Sequence, residues 1–457
     1  STAYIILDLN SKQISNNYEE DFRMSIALQV ALVMVTILVI LLIIGAPIGV
    51  AIGLSSAVSM ICMIPANVSF ATSAQRIFAG SNSFSLIAIP FFILAGNIMN
   101  NGGIATRLVN CAKVIAGRMP GALAQSNVVA NMLFGAISGS GAAAAAAMGS
   151  TIGPLEEKEG YDKNYSVAVN VASAPVGMLI PPSNTMIVYS SIAGSVSIAA
   201  LFMAGYIPGI LWGGAVMILA GIMAKKRGYQ AEERVTFKIA MKTFWQAIPS
   251  LLLIIIVFGG ILAGVFTATE GSAIAVVYAT VLSLIYKSFK LKDIPRIVLE
   301  SAKTTGIITF MIGLSSIMSW AMAFTEIPDM IATAILGLTD NKILILLLIN
   351  VLLLVVGTFM DVTPAILIFT PILLPICTAF GMSPIQFGIL LCFNLSIGTI
   401  TPPVGTILFT GCRVGGVTIE SVIKYMLPYF AIIFVALLLV TYIPAISMFL
   451  PKILGLV

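Results

Sequence analysis

From about residue 25 to its end the chain alternates long apolar runs with short polar or basic connections. A helix needs about 20 consecutive apolar residues to cross a hydrocarbon core. By that measure Ala27–Ile44 and Gly49–Ile64 are two runs hinged at Gly45-Ala46-Pro47, and Ser85–Met99 is a further crossing. Ile104–Met119 carries Arg107, Lys113 and Arg118 and is moderately amphipathic, a pattern suited to the membrane surface. Leu201–Ala224 returns across. Ile248–Leu262 and Ser272–Ile285 form a second hinged pair, followed by crossings at Gly306–Met322 and Tyr425–Leu450.

Four stretches interrupt this pattern. Gln125–Leu155 centres on Gly135-Ala136-Ile137-Ser138-Gly139-Ser140-Gly141 and six alanines, so each flank is about half a crossing. This predicts a re-entrant helical hairpin at about 125–155, turning at Ser138–Gly141. Ile343–Cys377 repeats it as a second hairpin at about 343–377, with its turn in Gly357–Pro364. After each hairpin comes a broken crossing, 166–199 and 384–410. Each contains G-x-x-x-P-P, once at Gly177–Pro182 and once at Gly398–Pro403. Proline lacks the N–H and clashes with the preceding turn, so two in a row break a helix. Broken backbone at membrane depth is tolerated only inside protein or along a cavity.

Composition supports the membrane assignment. The chain is 59% hydrophobic and 9% charged, with mean hydropathy +1.08, too apolar for a soluble surface of this size. The order of elements is the same in both halves. Residues 1–24 form a polar leader or linker, 25–224 the first repeat, 225–243 a basic linker and 244–457 the second repeat. Lys225–Lys242 and Lys287–Lys303 are both basic and flank a hinged pair, so they share a side, and the positive-inside rule makes it the cytoplasm. Counting crossings outward places Arg107, Lys113, Arg118, the 156–163 loop, Arg413 and Lys424 on the same side, with the halves inverted. The expected fold is an all-α polytopic membrane protein of two inverted-topology repeats, the type built for alternating access.

The absence of histidine excludes Ser-His and Cys-His nucleophilic catalysis and most zinc chemistry. The five cysteines sit in apolar stretches without metal-ligand spacing, and the net charge of +5 belongs to loops, speaking to topology and not to nucleic acid. Hairpin turns aimed at helix breaks assemble carbonyls, hydroxyls and amides. Ser138 with Gly177–Asn184, and Gly357, Thr358 and Asp361 with Gly398, Thr401 and Pro403, form two oxygen-rich half-sites suited to Na⁺. Helix starts at Ser183-Asn184-Thr185 and near Val404-Gly405-Thr406 present N–H groups to an anion. Asp361 is the acid of interest, because a carboxylate at membrane depth is costly and usually functional. Glu270 reads as a helix cap. The scarcity of membrane carboxylates argues for sodium over a proton relay. An intramembrane enzyme on Ser138 or Asp361 and an open channel are both disfavoured.

At these motifs the chain resembles the large membrane subunit of TRAP (tripartite ATP-independent periplasmic) transporters, the DctM-like M subunit. The resemblance runs from about residue 25 to the end. It rests on Gly135–Gly141, Pro181-Pro182-Ser183-Asn184-Thr185, Phe266-Thr267-Ala268-Thr269-Glu270-Gly271, Gly357–Asp361 and Thr401-Pro402-Pro403, with Ala268 standing where the family usually has proline. The resemblance implies an elevator-type importer of an organic anion in a bacterial inner membrane, driven by two or more Na⁺ ions and using no organic cofactor. It also implies a periplasmic substrate-binding protein and a small four-helix Q subunit; the leader without Met would suit an M part derived from a Q–M fusion. Carried over, the sodium sites fall on Ser138, Gly177, Ile180 and Pro182 for one ion, and on Gly357, Thr358, Asp361, Gly398, Thr401 and Pro403 for the other. The substrate falls between Ser138, Ser140, Ser183, Asn184 and Thr185 and the second hairpin. The likeness is greatest to sialic-acid systems, with C4-dicarboxylate next. A stand-alone divalent-anion/sodium symporter is the competing reading.

Overall fold

The computed structural model describes residues 25–194, 196–229, 237–288, 291–338, 341–402 and 404–457. The leader 1–24, part of the basic linker and Pro403 lie outside the described residues. Among those described there is no strand, and eight helices are long and apolar enough to cross a membrane.

The first apolar pair is α1 (Ser25–Ile43) and α2 (Ile48–Ser59), hinged by Gly45 at φ +84° before Pro47 caps α2. Next comes α3 (Ala66–Ser81), which the apolar pattern does not reveal. Asn67, Ser69, Thr72, Ser73, Gln75 and Arg76 dilute its apolarity. It forms through packing, with the Ser69 hydroxyl donating to the Ala57 carbonyl at 2.6 Å.

The chain continues through α4 (Ala88–Asn101), α5 (Ile104–Ala116), α6 (Ala122–Ser138), α7 (Gly141–Thr151) and the short α8 (Gly153–Lys158). The first hairpin is thus α6 and α7, of 17 and 11 residues, joined at Gly139 (φ +61°) and Ser140, whose hydroxyl caps α7. The first broken crossing is α9 (Lys163–Ser173), a 3₁₀ turn to Met178, and α10 (Asn184–Ala193). It ends at Ala193 rather than 199, because Gly194 and the Ser197 cap already begin the next helix.

Then follow α11 (Ile198–Lys226), α12 (Phe237–Leu262), α13 (Ala268–Ile285), α14 (Ile294–Phe324) and α15 (Ile327–Leu338). The second hairpin is α16 (Lys342–Phe359) and α17 (Val362–Ala379), turning at Met360-Asp361, and the second broken crossing is α18 (Pro384–Gly398) and α19 (Thr406–Gly415). The last apolar run divides into α20 (Ile419–Tyr442) and α21 (Pro444–Ile453), since Pro444 cannot supply the N–H that would continue α20. Helices α12 and α14 begin 11 or 12 residues earlier than the apolar runs. Their basic first turns are good helix formers, and apolarity alone does not mark them.

Two compact units are present. One contains the described residues up to Asn82 with Thr309–Ile345 and Leu367–Gly381. Its core is Ala57, Leu314 and Ile317, flanked by Ile77 and Trp320, and the Arg76 guanidinium lies 6.0 Å over the Trp320 ring.

The other unit contains Ser83–Ile308, Leu346–Ile366 and Met382–Val457. It holds both hairpin turns and both broken crossings. Helix α5 buries Ile104, Leu108 and Ala112 against α6 and α12, so its apolar face is covered by protein. Thr267 and Glu270 make the reciprocal capping box expected of them: Thr267 N donates to Glu270 Oε2 at 2.7 Å, and Glu270 N donates to Thr267 Oγ1 at 3.3 Å. Loops that charge topology assigns to one side do meet. Arg227 lies 3.3 Å from Asp162, which also accepts from the Tyr425 hydroxyl at 2.7 Å and from the Asn164 and Tyr165 amides. Arg107 stacks 3.3 Å over the Tyr286 ring. Burial alone would raise the Asp162 carboxyl, but Tyr425, the backbone amides of Tyr165 and Asn164, and Arg227 hold it below its ordinary value.

Trp212 on α11 locks the first broken crossing. It is fully buried, and its indole N–H donates to the Ala172 carbonyl at 2.8 Å just before the break. Trp212→Phe removes that hydrogen bond, so thermal unfolding in detergent is expected to show a loss of about 0.5–1.5 kcal/mol.

Candidate functional site

Each break crosses its own hairpin through a pair of glycines. A Cβ on Gly135 would overlap the Gly177 backbone and the converse, and a Cβ on Gly398 would overlap Gly357. No other residue lets backbones approach so closely. The hairpin turns then rest on the breaks. Gly139 faces the Pro182 carbonyl and Asn184, and the Val404 N–H donates to the Thr358 carbonyl at 3.1 Å.

Below each crossing lies a buried amide pair that apolar patterning does not disclose. Asn131 Nδ2 reaches Asn127 Oδ1 at 2.9 Å, Asn170 Oδ1 at 3.0 Å and Ser173 Oγ at 2.8 Å. Asn394 Nδ2 reaches Asn350 Oδ1 at 2.9 Å, and Asn350 Nδ2 reaches Thr441 Oγ1 at 3.1 Å. The signal was available in the chain: asparagines inside apolar runs are expensive unless they bond across helices.

Both hairpin turns and both breaks border one cavity of about 330 Å³, and all its lining belongs to the second unit. Ser138, Ser140, Asn184, Thr185 and Asp361 line it, as expected from the chain. Asp361 is exposed to it and is the only carboxylate among the described residues of the lining. Asn97, Asn100, Thr304, Thr363 and Thr399 also line it, beyond the candidates named from the chain, and Thr406 lines it from the α19 start that the chain marks as facing an anion. Asn97 and Asn100 stand three apart on α4, and polar residues at that spacing in an apolar helix were the clue.

The remaining candidates occupy other places. Ser183 is fully buried; its hydroxyl donates to the Met178 carbonyl at 2.5 Å and meets Thr185 Oγ1 at 2.7 Å, so it holds the break together rather than facing the cavity. Ile180 packs against Gly209 of α11, and Pro182 lines a small apolar pocket with Phe92 and Ala136. Gly177, Gly357 and Gly398 form the crossings. Thr358 and Thr401 turn their hydroxyls to Val355 and Ile397 carbonyls, both at 2.7 Å. Pro403 lies outside the described residues.

The donor set fits a hard monovalent cation. Asn184 Oδ1 is buried without a hydrogen-bond partner, and the Ser138 hydroxyl makes two long contacts within its own turn, donating to the Ser140 carbonyl and accepting from the Ser140 N–H, both at 3.4 Å. Around them are neutral oxygens, and beyond them is one carboxylate, a set that favours a singly charged ion. For an anion the α10 start is open in one direction. The Ser183 hydroxyl caps Met186 N–H at 3.4 Å, and no hydrogen bond within the described residues engages the Asn184 or Thr185 N–H. The start of α19 is more occupied, because the Thr399 carbonyl accepts from Ile407 at 2.9 Å and Leu408 at 3.3 Å.

Residues 35–446 match the family model of the DctM component of tripartite ATP-independent periplasmic transporters. An uncharacterized protein YgiK of Salmonella typhimurium is 50% identical over 87% of this chain and 91% of its own length. The isethionate TRAP transporter permease protein DctMQ of Oleidesulfovibrio alaskensis is 42% identical over 82% of this chain, which spans 59% of that longer protein. The C4-dicarboxylate TRAP transporter large permease protein DctM of Pseudomonas aeruginosa is 38% identical over 88% and 93%. A crystal structure of the Alcanivorax borkumensis YdaH transporter shares the fold, with TM-score 0.56 at 14% identity over 82% of this chain and 87% of that one.

Proposed function

Because this chain belongs to the DctM family, the large permease component of tripartite ATP-independent periplasmic transporters, we propose that it imports an organic anion driven by Na⁺. The cavity carries the reading: two hairpin turns and two helix breaks converge on it with a single carboxylate in its lining. One cation would take oxygens of Ser138, Gly177, Ile180 and Pro182. A second would lie at the Asp361 hairpin with Gly357, Thr358, Gly398 and Thr401. Ser138, Ser140, Asn184 and Thr185 would hold the anion, with the α10 start supplying N–H groups.

The protein sits in the bacterial inner membrane and works with a periplasmic substrate-binding protein and a small Q subunit. The hairpins and broken crossings form the part that carries substrate, in an elevator-type cycle of inverted repeats. Sialic acid is the first candidate cargo from the chain's resemblance. Isethionate and C4-dicarboxylate compete, since relatives at 42% and 38% identity bear those names.

Reconstitution of the chain with its Q subunit and binding protein tests this. Labelled sialic acid, succinate and isethionate are offered with and without an inward Na⁺ gradient. Uptake of one anion that requires both gradient and binding protein is expected. Uptake of free substrate without any binding protein would instead favour a stand-alone divalent-anion/sodium symporter.

A further inference from the structure

Glu156 opens the charged 156–163 loop that charge topology places on the cytoplasmic side, yet it is 1% exposed, at the foot of the first hairpin on α8. Both its carboxyl oxygens lack a hydrogen-bond partner, as do Asn127 Nδ2 on α6, Ser166 Oγ on α9 and the Tyr429 hydroxyl on α20. Asn127 and Ser166 are the polar side chains drawn to the carboxyl, and Tyr165 and Tyr429 are the ionisable groups within electrostatic reach. Tyr165 is already committed to the Ala220 carbonyl at 2.8 Å. Of the nearby basic side chains, Lys163 pairs with Glu157 at 2.8 Å, Arg227 with Asp162 at 3.3 Å, and Lys158, on the same helix, is exposed. No cationic side chain neutralises Glu156 among the described residues.

An isolated buried carboxylate is costly and is relieved by a proton, a metal ion or a counter-charge. The counter-charge is missing. Asn127 has turned its oxygen to Asn131 at 2.9 Å, leaving its N–H₂ for Glu156. That is a donor, which a metal ion would repel. We propose that Glu156, with Asn127, Ser166 and Tyr429, forms a proton-binding site at the foot of the first hairpin. The site takes up one proton on the carboxylate and releases the same proton, with no other bond made or broken. Ionised, Glu156 draws on the Asn127 and Ser166 donors. Protonated, it becomes a donor itself and frees them. Asn127 passes the difference to Asn131, and through it to Asn170 and Ser173, one to two turns below the Gly135–Gly177 crossing.

Burial pushes the Glu156 carboxyl from 4.5 up to about 7, against the pull of Ser166 and Asn127. The folded protein therefore holds this proton more tightly than the unfolded chain does. The stability it contributes is full below pH 4.5 and is lost as pH rises to about 7.

The test is Tm against pH for the full chain in detergent, which needs no knowledge of the cargo. Glu156→Gln is expected to remove a decline in Tm between about pH 4.5 and 7 that the parent shows. Ser166→Ala, which removes a donor to the ionised form, is expected to move the midpoint of that decline to higher pH. The same decline in parent and Glu156→Gln, or an unmoved midpoint in Ser166→Ala, overturns the proposal. So does a midpoint that follows NaCl but not choline chloride at equal ionic strength, since that assigns the site to a metal ion.

Discussion

Asp361→Asn is expected to weaken the response of the protein to Na⁺ by roughly 10- to 100-fold, the equivalent of losing one charged interaction of about 1.5–3 kcal/mol. The substitution keeps the side-chain shape while removing the one negative charge among the described residues of the cavity lining. Two readings check it. In reconstituted uptake the half-saturating Na⁺ concentration should rise by that factor. In thermal unfolding, the rise in Tm on adding Na⁺ should shrink, because a ligand stabilises the folded state only in proportion to its occupancy. The stability without Na⁺ should change little, since Asp361 is exposed to the cavity. An unaltered Na⁺ curve in both assays places the second cation elsewhere.

The second large effect belongs to the glycine crossings. Gly177→Ala or Gly398→Ala inserts a methyl group into the facing backbone, and backbone cannot swing aside as a side chain can. Overpacking of this kind costs about 1–3 kcal/mol or more. Gly214→Ala is the matched control, because a Cβ there meets nothing within 4 Å, and alanine in a helix interior is better than glycine by about 0.8–1.0 kcal/mol. A fall in Tm for both crossing variants with no fall for the control is expected. Equal Tm values across all three would mean that the helices part easily at these points. The crossing variants should also lose uptake, since the hairpin turn and the break would no longer meet.

Apolar run length made the helices legible, because a hydrocarbon core demands about 20 apolar residues whatever the fold. Tandem prolines made the breaks legible, because proline's lost N–H is a local property. Glycine and serine between apolar arms marked the first turn correctly at Gly139-Ser140. The same reasoning missed α3, where polar side chains hide a helix that packing stabilises. It overextended the first broken crossing and ran α20 through into α21.

Asp361, Ser138, Ser140, Asn184 and Thr185 stand out in the chain as polar groups beside a turn or break, and all five line the cavity. Ser183 belonged to the same motif, yet its hydroxyl turns back to Met178. A motif cannot say which way a side chain faces. Asn97 and Asn100 escaped notice because their helix is otherwise an ordinary crossing.

Membrane residence, the positions of the hairpins and breaks, and the identity of the one cavity acid follow from local properties: apolar length, proline chemistry and the cost of charge in hydrocarbon. Which oxygens converge, which glycines touch and which acid is buried depend on segments far apart in sequence coming together. Glu156 shows the difference. Among Glu157, Lys158 and Glu159 it reads as one more loop charge. Only the packing of α6, α9 and α20 around it removes its water and leaves it without a counter-charge.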